Sequence, residues 1–124
     1  MDRTVIAILP TEIERPVRMA LQTTFGYKDV TVKLEKLTEI IPMNYGDEEE
    51  MKMIVGQSMD KLNEVLDAKQ EEDEVYLIAA GSPILMIYAY DKLNARLGGK
   101  FKLLVFERGL KRYVEYNPDW SRIF

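Results

Sequence analysis

The chain contains no cysteine and no histidine among its 124 residues. Without cysteine there is no disulfide framework and no thiolate nucleophile. Without histidine, a zinc site of the usual kind and an imidazole acid or base are excluded. No apolar run approaches the roughly 20 residues that span a bilayer. The opening MDRTVIAILP has an apolar stretch too short for a signal sequence. Phosphate-binding fingerprints are missing as well: there is no GxxxxGK[ST], and no GxGxxG follows the first apolar run. Acidic residues do not cluster after the first and third strand candidates, as a phospho-acceptor domain requires. These readings predict a cytoplasmic, metal-free and cofactor-free protein with no membrane partner.

What is present is an alternation of periods. TVIAIL (4–9), VYLIAA (75–80) and KFKLLVFE (100–107) are β-rich apolar runs that predict buried strands. DVTVKL (29–34) alternates and predicts a strand with one wet face. Between them, RPVRMALQTTFGY places Pro16 in a first helical turn and Gly26 past a helix end. From Asp47 onward, Met51, Ile54, Val55, Ser58, Met59, Leu62, Val65 and Leu66 keep one helical stripe. Asp47 and Glu50 form a capping pair ahead of it. QEEDE (70–74) reads as a solvated linker, and PILMIYAYDKLNARL (83–97) as a third helix. Arg108-Gly109-Leu110 turns the chain into a last antiparallel strand, KRYVEY.

The order β-α-β-α-β-α-β-β predicts one α/β domain over residues 1–124. It would be a Rossmann-like, mainly parallel sheet of order 2-1-3-4-5 with an antiparallel C-terminal edge hairpin. Ligands of such sheets bind beyond the strand C-termini, at the switch between strands 1 and 3. Pro10-Thr11 and Gly81-Ser82-Pro83 occupy that place. Gly81 permits a tight turn, Ser82 is a favoured N-cap and Pro83 suits the first helical position. The free amides there form an anion site, unless Ser82 does no more than cap its own helix.

The third helix is apolar over most of its girth. Leu85, Ala89, Leu93 and Leu97 suit the sheet, whereas Ile84, Ile87 and Tyr88 lie on another side. An isologous homodimer through Ile84, Ile87 and Tyr88 would cover them. Charge is uneven too. Residues 92–124 carry eight basic and three acidic side chains, net +5, which leaves −9 over residues 1–91 of the total −4. A negative chain of this kind is not expected to bind duplex nucleic acid.

VIAILPTEIERPVRMAL and the stretch from Val75 to Tyr116, with its Gly-Ser-Pro junction and Tyr-rich hairpin, give the chain a resemblance. It is similar to the CARF and SAVED superfamily, sensors of cyclic oligonucleotides in CRISPR-type antiviral systems. Its departure is the lack of the His-containing turn many small relatives carry after strand 1. The resemblance implies a dimer that binds cyclic oligoadenylate on its two-fold axis. Pro10, Thr11 and Glu12 would form one ligand loop, and Ala80, Gly81, Ser82 and Pro83 the other. As a ring nuclease it would orient the ribose 2′-OH through Thr11 and Ser82; as a sponge it would only sequester the ligand. A protein-interaction domain, working through the apolar third helix, is the alternative from another class.

Overall fold

The computed structural model describes residues 3–10, 14–26 and 29–116. Eight elements follow in the order β1 (Arg3–Leu9), α1 (Glu14–Phe25), β2 (Val30–Lys36), α2 (Glu48–Ala68), β3 (Glu74–Ile78), α3 (Pro83–Leu97), β4 (Lys102–Glu107) and β5 (Arg112–Tyr116). They form one five-stranded sheet of order β2-β1-β3-β4-β5. All neighbours are parallel except β4 and β5. The expected α/β class, strand order and antiparallel edge hairpin are therefore found.

Strand periodicity divides the core into two layers. Ile6, Ile8, Val75, Leu77 and Leu103 point to the face covered by α2 and α3, against Leu62, Val65, Leu66, Ala89 and Leu93. The alternate residues Val5, Ala7, Leu9, Tyr76, Ile78 and Leu104 point to the other face, where α1 supplies Val17, Leu21 and Phe25. β1 and β3 are buried on both sides, which is why they read as unbroken apolar runs. β2 lies at an edge, and its alternating exposure follows the alternation in DVTVKL.

The helix caps follow the sequence. Asp47 Oδ1 accepts from the Glu50 amide at 3.1 Å, and Glu48, Glu49 and Glu50 face the positive end of α2. At the far end of α3, Gly98 adopts φ 61 and donates its amide to the Asn94 carbonyl. One expectation fails. QEEDE is more than a solvated linker: Asp73 is buried and its Oδ2 accepts from the Gln70 amide at 2.9 Å. Glu74 is the first residue of β3. Such a turn-closing carboxylate looks like any other charge in a run of charges, so periodicity does not reveal it.

Candidate functional site

The crevice expected at the strand C-termini lies where β1 and β3 diverge. Their last paired residues are Ile8 and Leu77, and two residues beyond stand Pro10 and Ala79. Pro10 is buried, while Thr11 and Glu12 lie outside the described residues. On the β3 side the chain turns sharply. The Ala79 amide donates to the Leu104 carbonyl and the Ala80 amide to the Ile78 carbonyl, both at 2.9 Å. Gly81 then takes φ 81, a left-handed conformation that strains a residue with a side chain.

Ser82, only 7% exposed, follows as the N-cap of α3. Its Oγ accepts from the Leu85 amide at 3.5 Å and its carbonyl accepts from the Met86 amide at 3.0 Å. Pro83 opens the helix. Ala80 through Pro83 thus form the expected capped junction, and the Ser82 side chain is engaged by its own helix. The Tyr45 hydroxyl stands 3.4 Å from Ser82 Oγ, so the β2–α2 connection reaches this junction. Nothing in the sequence placed Tyr45 there, because the contact joins residues 37 apart.

Beside this junction opens a groove of about 590 Å³ between the first turns of α2 and α3. Met51 and Val55 form one wall together with the Glu48–Lys52 ion pair, Ile84 and Tyr88 form the other, and Tyr45 closes one end. The exposed apolar residues continue past it. Ile87, one residue before Tyr88 on α3, is 63% exposed and Tyr88 itself 48%. The floor includes Gly56, in the middle of a 21-residue helix. A Cβ built on Gly56 meets nothing within 4 Å, so internal packing does not demand glycine there. Glycine mid-helix costs roughly 0.5–1 kcal/mol relative to alanine, and what the missing side chain leaves is an open groove floor. Ile84 and Tyr88 signalled one wall in the sequence, and a glycine inside an otherwise regular helical pattern is the signal that could have pointed to the other.

Basic residues of the C-terminal quarter divide into two groups. Arg96 donates to Asp67 at 2.7 Å and to Asn63, tying α3 to the end of α2, away from the crevice. Arg108 and Lys111 on the β4–β5 turn and Arg112 at the start of β5 stand exposed and form no ion pair among the described residues.

The strongest electrostatics lie at the opposite end of the sheet. Arg3 forms an ion pair with Glu74 through Nε and a second bond through Nη2 at 2.8 Å. It also donates to the Tyr76 hydroxyl at 3.0 Å, which in turn donates to Glu115 Oε1 at 2.9 Å. Lys102 closes the row on Glu115 at 3.3 Å. The Arg3 hydrogen bond holds the Glu74 carboxyl below its ordinary range. Burial, then the bond to Glu115, pushes the Tyr76 hydroxyl above its ordinary value. Every charge here has a partner, which is the arrangement of a scaffold rather than of a reacting centre. Among the described residues no group of acidic side chains is arranged to hold a metal ion. No helix among them is long and apolar enough to cross a membrane.

A family model described as phage Pam3 gp32-like protein matches residues 28–120, three quarters of the chain. No curated protein and no solved structure matches. The match overturns the likeness to CARF and SAVED domains, and with it the cyclic oligoadenylate ligand, the ring nuclease, the sponge and the antiviral role. The physical reason is plain in the geometry. A glycine turn, a serine cap and an N1 proline are what a strand-to-helix junction of this fold requires, whatever it binds. That motif could not separate one family of doubly wound domains from another.

Proposed function

This chain belongs to the phage Pam3 gp32-like protein family, and on that premise we propose that it is a protein-binding module acting in the cytoplasm. The observation that carries this reading is the groove between α2 and α3, lined by Met51, Val55, Ile84 and Tyr88 beside the Glu48–Lys52 pair, with a glycine in its lining that internal packing does not require. A soluble protein scatters single apolar residues over its surface, but a contiguous set around a groove marks an interaction surface. Tyr45 and Tyr88 suit such a surface, since each offers a large rigid ring with a polar tip. Helices in this position receive an apolar face or anchor residues from another polypeptide.

Photocrosslinking in the cells where the gene is naturally expressed tests the reading. A benzoylphenylalanine at Val55 or Ile84, inside the groove, is expected to capture a polypeptide. The same probe at Glu64, exposed on α2 away from the groove, is expected to capture none. Absence of any polypeptide adduct at both groove positions would overturn the proposal.

A further inference from the structure

We infer that the groove takes the β4–β5 hairpin of a second copy of this chain, so that two copies close into a two-fold dimer. This rests on the protein-binding reading above and names the partner. Four observations converge on it.

The first is apolar complementarity. The hairpin presents Leu110 at its tip, 56% exposed, and behind it the exposed cross-strand pair Val105 and Val114, on the sheet face that α2 and α3 cover. Phe106 lies on the opposite face against Tyr113. The groove presents Met51, Val55, Ile84 and Tyr88, and its volume of about 590 Å³ leaves room for several side chains of leucine size. Among the described residues neither set is covered within one copy.

The second is charge. Glu48 lines the groove, and Asp47 and Glu49, both exposed, and half-buried Glu50 adjoin it in the first turn of α2. Among the described residues only Glu48 has a basic partner, Lys52 at 3.2 Å, and both of those side chains are largely in solvent. The hairpin carries Arg108, Lys111 and Arg112. The acidic side chains also suit the start of α2, but no helix end accounts for the three basic ones. Opposite signs on two surfaces steer encounter and set register, while each surface repels its own kind.

The third is the stiffness of the hairpin turn. The Lys111 amide donates to the Glu107 carbonyl at 2.8 Å, and the Gly109 amide donates to the Glu107 carboxylate at 3.0 Å. Lys111 itself takes φ 54. A turn fixed before docking loses less freedom on docking.

The fourth is position. β4 runs parallel to β3, so the turn after Glu107 lies at the same end of the sheet as the starts of α2 and α3. Groove and hairpin are therefore two separate features of one end of the molecule. A two-fold axis lying across that end brings each hairpin onto the other copy's groove. The contact is made twice and the assembly closes, with no open edge left for chain growth. Both features fall within residues 28–120, the stretch that matches the family.

Charge exchange tests this. One variant carries Glu48→Lys and Glu49→Lys; the other carries Arg108→Glu and Lys111→Glu. Analytical ultracentrifugation of the wild type, at concentrations on the order of tens of micromolar, is expected to show a dimer that weakens as salt is raised. Each variant alone is expected to lose roughly tenfold or more in self-association, and their equimolar mixture to recover it as a one-to-one pair. Circular dichroism checks that both variants fold, and Leu110→Ser removes the apolar tip without touching the core. A wild type that stays monomeric overturns the inference, as does a dimer indifferent to all three changes, or a mixture that does not recover. In the crosslinking experiment, capture of a different protein at Val55 with a monomeric wild type overturns the second copy alone. Capture of nothing removes the protein-binding reading as well.

Discussion

The two ends of the sheet treat charge in opposite ways. At the strand starts, Arg3, Glu74, Tyr76, Glu115 and Lys102 form one row across β1, β3, β5 and β4, every member bonded to its neighbour. Arg3 also lies 5.6 Å from the Phe25 ring centroid, so the row is anchored to α1. At the strand ends the ion pairs are isolated, Lys36 with Glu39 and Glu48 with Lys52, and Arg108, Lys111 and Arg112 form none among the described residues. A paired row contributes to folding, even though a cavity of about 280 Å³ opens beside Glu74, Tyr76 and Lys102. Separated charges contribute little to folding and remain available to a partner. On the proposed reading, stability is concentrated at one end of the molecule and interaction at the other, and that contrast can be broken from either side.

The largest effect is expected from a pair of tyrosines. Tyr76 is 1% exposed, stacks edge-on against Phe25 at 5.1 Å and links Arg3 to Glu115. Tyr76→Ala should cost about 3–5 kcal/mol of folding stability, as removal of a buried aromatic does. Tyr88→Ala, on the groove wall, should change folding by no more than about 0.5 kcal/mol yet weaken self-association. Urea denaturation and sedimentation measure the two. Equal losses of stability would erase the contrast.

Next in size is the turn between β3 and α3. Gly81→Ala places a Cβ at φ 81 and should cost about 1–2 kcal/mol. Ser82→Ala removes the acceptor for the Leu85 amide and should cost about 1 kcal/mol. Thermal unfolding of both, with Ser82→Thr as the conservative control, checks that the junction is a cap. A Ser82→Ala protein of unchanged stability would leave its hydroxyl without a structural account.

Smaller effects are expected from pH, and they report only on the strand starts. Glu74 has its carboxyl lowered by Arg3, so the folded state holds the charged form more tightly than the unfolded state does. That contribution is present above the ordinary value of 4.5 and is lost as pH falls through the lowered one. Tyr76 is raised, so its contribution is full below the ordinary value of 10.0 and is lost as pH climbs toward the folded one. Because Arg3 and Glu74 are both more than a third exposed, their ion pair is worth no more than about 1 kcal/mol. Glu74→Gln should flatten the acid limb of a stability–pH curve and Tyr76→Phe the alkaline limb. Either variant with both limbs unchanged would show that the row does not govern the profile.

The fold was legible because its signals are local and periodic. The unbroken run in β1, the alternation in β2 and the stripe of α2 each follow from which faces are buried, and burial is what periodicity records. The junction at Gly81-Ser82-Pro83 was legible for the same reason, since cap chemistry spans four residues. What the junction is for was not, because many families build it alike. The paired row was invisible in advance: Arg3, Glu74 and Glu115 meet only through strand pairing, and in the sequence Glu74 belongs to a run of acidic residues. Tyr45 reached Ser82 through a connection without periodicity. The groove stood between these cases. Ile84, Ile87 and Tyr88 announced a second apolar side of α3, but its other wall, Met51 and Val55, was indistinguishable from the core stripe of α2.

The smallest effect on folding carries the sharpest test of the contrast. Gly56 lies in α2 with open space where its side chain would be. Gly56→Ala should stabilise the fold by about 0.5–1 kcal/mol, because alanine loses less backbone freedom in a helix. Gly56→Leu should gain a similar amount, since leucine ranks close to alanine in helix propensity. The two variants should part company in association. A methyl group leaves most of the groove open, whereas a leucine side chain can fill it and compete with the incoming Leu110. Melting temperature should therefore rise in both, while dimerisation should persist in Gly56→Ala and fall in Gly56→Leu. A gain in stability with loss of association cannot come from damage to the fold, which separates this outcome from that of any destabilising variant. A Gly56→Leu protein that dimerises as well as the wild type would show that the groove floor is not an interface, and that the glycine is only tolerated.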